Sequence, residues 1–187
     1  MTLNLTIITG STRPGRKGPL VADWVAGAAR AHGGFAVTSV DLADLALPLL
    51  DEAGHPARDP YAHDHTRAWS ALVKPADAFV FVTPEYDFFP PATLINALQV
   101  LFHEWRYKAA AVVSYGGISG GLRSGQQLRL LIANLGMMPI PQSVPVPMLA
   151  NHLGPQGFTP NAEMTAGIGL LLGELAKWAG ALKPLRG

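Results

Sequence analysis

A chain of 187 residues with 49% apolar and 14% charged side chains is long enough to bury a sizeable core and too apolar to stay disordered. It has no cysteine, which excludes disulfides, thiolate metal sites and cysteine nucleophiles. The net charge is +1, with one basic cluster at Arg13, Arg16 and Lys17, so nothing global points to a nucleic-acid partner.

The first element is the β-rich run LNLTIIT (Leu3 to Thr9), which stops at Gly10. Between Gly18 and Gly34, apolar residues recur at Leu20, Val21, Trp24, Val25 and Ala28, the spacing of an amphipathic helix. FAVTSVDL reads as a second strand ending at Asp41, and a loop rich in Pro, Asp and His spans about Ala43 to Asp64. A helix around Thr66 to Val73 follows, then AFVFVT (Ala78 to Thr83), which is as apolar as a strand covered on both faces must be. The next helix is expected from Pro91 to Glu104, and a buried strand from Ala109 to Tyr115. A glycine loop (Gly116 to Gly121) then opens a helix from Leu122 to Leu135. The prolines of MMPIPQSVPVP mark an edge strand, and a last helix covers about Asn161 to Leu182. No apolar run reaches the roughly 18 residues of a membrane span, and the N-terminus reads as a strand rather than a leader. The expectation is a cytoplasmic protein with no membrane partner.

Strands alternating with helices predict an α/β fold: a doubly wound, five-stranded parallel sheet with helices on both faces, residues 1–187 forming a single domain. Right-handed crossovers favour the order 2-1-3-4-5, and ligands of such sheets bind outside the carboxyl ends of the strands, beside the switch point. Three loops meet there: Gly10 to Gly18, Pro84 to Pro90 and Gly116 to Gly121.

The first loop, GSTRPGRKG, follows a strand and opens a helix, so its N–H groups and the helix dipole suit an anion. Ser11, Thr12, Arg13 and Arg16 add hydroxyl and guanidinium donors for a phosphate; the bland alternative is a solvated basic turn. The loop begins like a nucleotide-binding G-x-x-x-x-G, but Arg16 and Lys17 stand where Lys and a metal-holding Ser/Thr are required. A phosphomonoester held without metal fits better. The second loop lies in VTPEYDFFPPATLINALQ: stiffened by Pro84, Pro90 and Pro91, it suits a planar heteroaromatic ligand, with Phe88 and Phe89 serving packing. The third, SYGGISGG, lets backbone approach a ligand closely. His63 and His65 read as surface residues, and HEWRY lacks the second His of a zinc motif, so no metal site is expected and no catalytic side chain is nominated.

GSTRPGRKG, PEYDFFPPATLINAL and SYGGISGGLRSGQQLR resemble the NADPH-dependent FMN reductases, a flavodoxin-like family that includes quinone, azo-dye and chromate reductases. The likeness runs from Leu3 to about Pro147. It implies an FMN cofactor, NADPH or NADH as electron donor, and a small-molecule acceptor such as a quinone, free flavin, azo compound or metal ion. It places the phosphate on Ser11, Arg13 and Arg16 and on the helix start at Gly18, Pro19 and Leu20. The isoalloxazine would lie along Pro84, Glu85, Tyr86 and Asp87, with its polar edge at Ser114, Tyr115, Gly116 and Gly117.

The resemblance also implies a homodimer or homotetramer built through the 91–105 helix. There, Leu94, Leu98, Leu101 and Trp105 would meet the sheet, and Ile95 and Phe102 would need a partner. Three residues depart from the family pattern. Asp87 stands where Asn is usual, Phe89 where a small hydroxyl residue is common, and Ile95 where many members have Lys. Two other functions stay open, a flavodoxin-type electron carrier and a binding or biosynthetic protein with an altered flavin site.

Overall fold

The computed structural model describes residues 2–186. Five strands, β1 (Leu3–Thr9), β2 (Phe35–Asp41), β3 (Ala78–Pro84), β4 (Ala109–Tyr115) and β5 (Met138–Val146), form a sheet in the order β2-β1-β3-β4-β5. Every pairing is parallel, as expected from the alternation of strands and helices. Every residue of β3 and β4 is buried, because both strands are covered on both faces. Pro139, Pro141 and Pro145 fall in β5, which lies at one edge of the sheet, where a missing ladder donor is tolerated.

Successive side chains of one strand feed opposite layers. Ile7, Val80 and Val113 pack with α1 (Gly18–His32) and α6 (Ala162–Leu182). Ile8, Phe81 and Val112 pack with α3 (Asp64–Val73), α4 (Ala92–Gln99) and α5 (Leu122–Asn134). No helix among the described residues is long and apolar enough to cross a membrane.

The structure departs from the expected elements in three places. The helix expected over 91–104 ends at Gln99. Beyond it Trp105 folds back into the core, its indole N–H donating to the Leu98 carbonyl at 3.0 Å. Tyr107 then adopts a left-handed backbone (φ 58°) and bonds through its N–H to the Gly136 carbonyl. Leu94, Leu98, Leu101 and Trp105 are all fully buried as their spacing implied, but a turn rather than a helix buries the last two. The long loop opens with a single helical turn, α2 (Leu42–Leu45). A two-residue hairpin, β6 (Leu153–Gly154) with β7 (Gly157–Phe158), is too short to leave a periodic signal.

Register sets the position of the site. Thr9 pairs with Asp41 and with Val82, and Pro84 with Tyr115, which pairs with Val146. The chain therefore leaves the sheet along one edge at Gly10, Leu42, Glu85 and Gly116, and the three loops open there side by side.

Candidate functional site

The first loop is an array of donors. The Gly10 N–H bonds to the Val82 carbonyl, while those of Ser11, Thr12, Arg13, Gly15 and Lys17 make no hydrogen bond among the described residues. No side chain among the described residues caps α1, and a proline occupies its first turn, so the positive end of the helix faces the same space. Arg16 is fixed: one terminal amine donates to Asp41 Oδ2 at 2.8 Å, and Asp41 Oδ1 accepts the Ala43 N–H at 3.0 Å. The hydrogen bond to Asp41 raises the Arg16 pKa further, so its charge is permanent.

Two buried donors on this side of the crevice, Arg16 Nε and the Tyr115 hydroxyl, have no hydrogen-bond partner among the described residues. Burial, reinforced by the neighbouring Tyr86, pushes the Tyr115 phenol upward, so it keeps its proton. Ser11 is fully buried, and its Oγ lies 2.8 Å from the Tyr86 hydroxyl. Gly18 makes the close approach possible, since a Cβ there would sit 2.7 Å from the Tyr115 hydroxyl. An unsatisfied buried donor costs about 1–3 kcal/mol. Two of them beside a loop of free N–H groups are donors that an anion rich in acceptor oxygens would satisfy.

The second loop is a tight turn. Tyr86 and Phe89 exchange both backbone hydrogen bonds, at 2.9 and 3.0 Å, and Asp87 and Phe88 between them have φ of 49° and 77°. Two left-handed central residues define a type I′ turn. Asp and Asn both tolerate that conformation whereas Phe does not, so Asp in place of Asn at position 87 keeps the turn. Asp87 and Phe88 are exposed at its tip.

Glu85 turns its side chain, 7% exposed, toward the start of α5. The carboxylate accepts the N–H groups of Arg123 at 3.1 Å and Ser124 at 3.4 Å and the Ser119 hydroxyl at 3.3 Å. It also pairs with the Arg123 guanidinium, which is the main reason its pKa is lowered. Only the backbone of Glu85 is left to line the crevice.

The third loop doubles back on itself. The Ser114 hydroxyl donates to the Gly120 carbonyl at 2.9 Å, and the carbonyls of Gly116 and Gly117 accept from Leu149 and Met148. Gly121 (φ 76°) passes so close to the end of β4 that a Cβ would lie 2.7 Å from the Tyr115 backbone. The N–H groups of Gly117, Ile118 and Ser119 bond to nothing among the described residues.

Of the expected residues, Ser11, Arg16, Gly18, Tyr86 and Tyr115 converge, and the backbones of Pro84, Glu85, Gly116 and Gly117 continue the crevice. Pro19 and Leu20 are half-buried on the first turn of α1, and Arg13 and Asp87 are exposed at the rim. Sequence reasoning missed Asp41, Ser119 and Arg123. Asp41 could have been found from topology, as the last residue of the strand paired with β1. Arg123 lies 38 residues from Glu85, and no spacing rule connects them.

A family model for NADPH-dependent FMN reductases matches residues 3–150. The chain belongs to this family. It is 38% identical over 188 residues to an NAD(P)H-dependent FMN reductase of Schizosaccharomyces pombe, covering 99% of this chain and 91% of that protein. A probable NADPH:quinone oxidoreductase of Oryza sativa is 35% identical over 99 residues, 51% of this chain and 47% of the rice protein. Among solved structures, FerB of Paracoccus denitrificans, a flavoenzyme NAD(P)H:(acceptor) oxidoreductase, superposes with a TM-score of 0.74 at 16% identity, covering 96% of this chain and 98% of FerB. That likeness is one of fold. As a member of the FMN reductase family, the chain is an oxidoreductase with FMN as its cofactor and NAD(P)H as its source of electrons.

Proposed function

We propose that this FMN reductase-family enzyme reduces a small acceptor of the quinone class, with the FMN phosphate in the first loop and its ring along the second and third. When bound, FMN would supply the redox chemistry between NADPH or NADH and the acceptor. The chain's task is to hold and orient. Arg16 Nε, the Tyr115 hydroxyl, Ser11 and the free N–H groups of residues 11–17 take the phosphate oxygens, and Arg13 adds charge from the rim. Backbone of Pro84 to Tyr86 and of Gly116 and Gly117 lines the ring, with the Gly117 and Ile118 N–H groups offered to its polar edge. The observation that carries this reading is the pair of unpartnered buried donors, Arg16 Nε and Tyr115 hydroxyl, beside the N-terminus of α1. Asp41 is paired with Arg16 and Glu85 with Arg123, so neither carboxylate is offered as a general base.

The same reading includes a second copy of the chain. Ile95, on the face expected to need a partner, lines a groove of about 270 Å³ between α4 and α5 with Phe89, Leu130 and Leu131. Phe89 and Leu130 are 52% and 69% exposed, and exposed apolar side chains around a groove suit contact with a partner, with Gln99 and Gln127 as its polar members. Phe102, expected on the same face, packs instead against the core.

The test is the absorbance of purified protein loaded with FMN, followed without oxygen while NADPH and then NADH is added. Bound flavin that bleaches on addition of either donor is the expected result. Flavin that binds but stays oxidised would make the chain a carrier served by another reductase, and failure to bind FMN would overturn the site.

A further inference from the structure

The second loop is held from outside by a residue that touches neither the phosphate cradle nor the backbone lining the crevice. The Arg123 guanidinium pairs with Glu85 and lies 3.9 Å over the Phe88 ring, so one side chain grips the residue that precedes the turn and a residue at its tip. That turn needs gripping, because Phe88 stands in the left-handed region at φ 77°, which L side chains avoid. Between the gripped residues, Tyr86 reaches Ser11 at 2.8 Å, so a continuous chain of contacts runs from Arg123 through the turn into the first loop.

The charges matter as much as the contacts. Glu85 is almost wholly withdrawn from water and sits at the end of β3, where the crevice begins. Its negative charge is balanced by one guanidinium, and its backbone lines the proposed ring position. We propose that Arg123 is a positioning residue of the flavin site, holding the 85–89 turn through Glu85 and Phe88, and that the Glu85–Arg123 pair keeps the charge at the flavin edge neutral. The inference rests on the FMN reading above. Adding electrons to a bound flavin is disfavoured by an unbalanced negative charge nearby and favoured by a positive one. Removing Arg123 takes away the counter-charge, while the N–H groups of residues 123 and 124 and the Ser119 hydroxyl still bind the carboxylate at the start of α5. Removing the charge of Glu85 leaves the guanidinium stacked on Phe88.

The experiment compares FMN-loaded wild type with Arg123→Ala, Glu85→Gln and Phe88→Gly, measuring the FMN dissociation constant and the midpoint potential of the bound flavin. Arg123→Ala is expected to weaken FMN binding at least tenfold and to shift the potential to more negative values. Glu85→Gln is expected to shift it the opposite way. Phe88→Gly, which relieves the left-handed strain but removes the stacked ring, is expected to leave the potential in place and to loosen FMN less than Arg123→Ala does. If Arg123→Ala does not fold, Arg123→Lys, which keeps the charge but loses the fork and the stack, should hold the potential while binding FMN more weakly. A helix cap alone would lower the melting temperature of the FMN-free variants and leave potential and affinity unchanged; that outcome, or potentials moving in the same direction, overturns the proposal. A wild type that binds no FMN would overturn the flavin reading itself, and the proposal with it.

Discussion

Arg16 and Arg13 belong to one cluster in sequence, yet only one is in place before a ligand arrives. Asp41 holds the Arg16 guanidinium and leaves its Nε buried and free, so little side-chain entropy is lost when an anion binds. Arg13 is exposed, and its charge is screened by water and salt. Arg16→Ala is therefore expected to weaken FMN binding by roughly 1.5–3 kcal/mol, the scale of a hydrogen bond to a charged group. Arg13→Ala should cost less, by an amount that shrinks as salt is raised. Fluorescence titration of both variants at two ionic strengths checks this, and equal, salt-independent losses would contradict it. The sequence showed which residue types gather here but not which arginine is preorganised, because Asp41 lies 25 residues from Arg16. Position 87 carries a related lesson. From sequence, Asp for Asn is a lost amide donor; the structure adds that both residues tolerate the left-handed backbone found there.

At the scale of elements, the end of α3 depends on a buried cation. Lys108 is 4% exposed, and its Nζ donates to the carbonyls of Val73 at 3.1 Å and Lys74 at 2.9 Å, which the last turn of the helix would otherwise leave unsatisfied. Burial, with Arg186 nearby, lowers its pKa to about 8. A neutral amine retains two N–H donors, so losing the proton need not break either bond. In the unfolded chain the group titrates near 10.4. Between these values the unfolded state binds more protons, so this residue adds stability as pH rises from about 8 toward 10.4. Urea unfolding of wild type and Lys108→Met at pH 7.5 and 9.5 should show the gap between them widening in favour of wild type. A gap that stays constant would mean the ammonium is not desolvated. This helix was legible in the sequence with its end at Val73; the end of α4 was not. The run Leu94, Leu98, Leu101, Trp105 fits a helix to its last residue, but burial of the indole and the left-handed Tyr107 convert its second half into a turn.

For the whole molecule, strand count, strand order and the edge at which the loops gather all follow from alternating apolar runs and the handedness of crossovers, and the sheet has that order. What joins the loops to one another, Arg123 to Glu85 and Ser11 to Tyr86, is set by side chains 38 and 75 residues apart and has no periodic trace. The outer surface lies between these cases. An apolar residue such as Leu130 breaks the polar face of α5 visibly in sequence, but only the fold puts it across a groove from Ile95 and Phe89. If that groove meets a second copy, light scattering at micromolar concentration should give at least twice the mass of one chain. Leu130→Glu would place a charge in a desolvated interface and should shift the mass toward a single chain, with the circular dichroism spectrum unchanged because Leu130 is exposed in one chain. A wild type of single-chain mass would remove the second copy from the proposed function. The phosphate cradle would stand, since Ser11, Arg16 and Tyr115 all come from one chain.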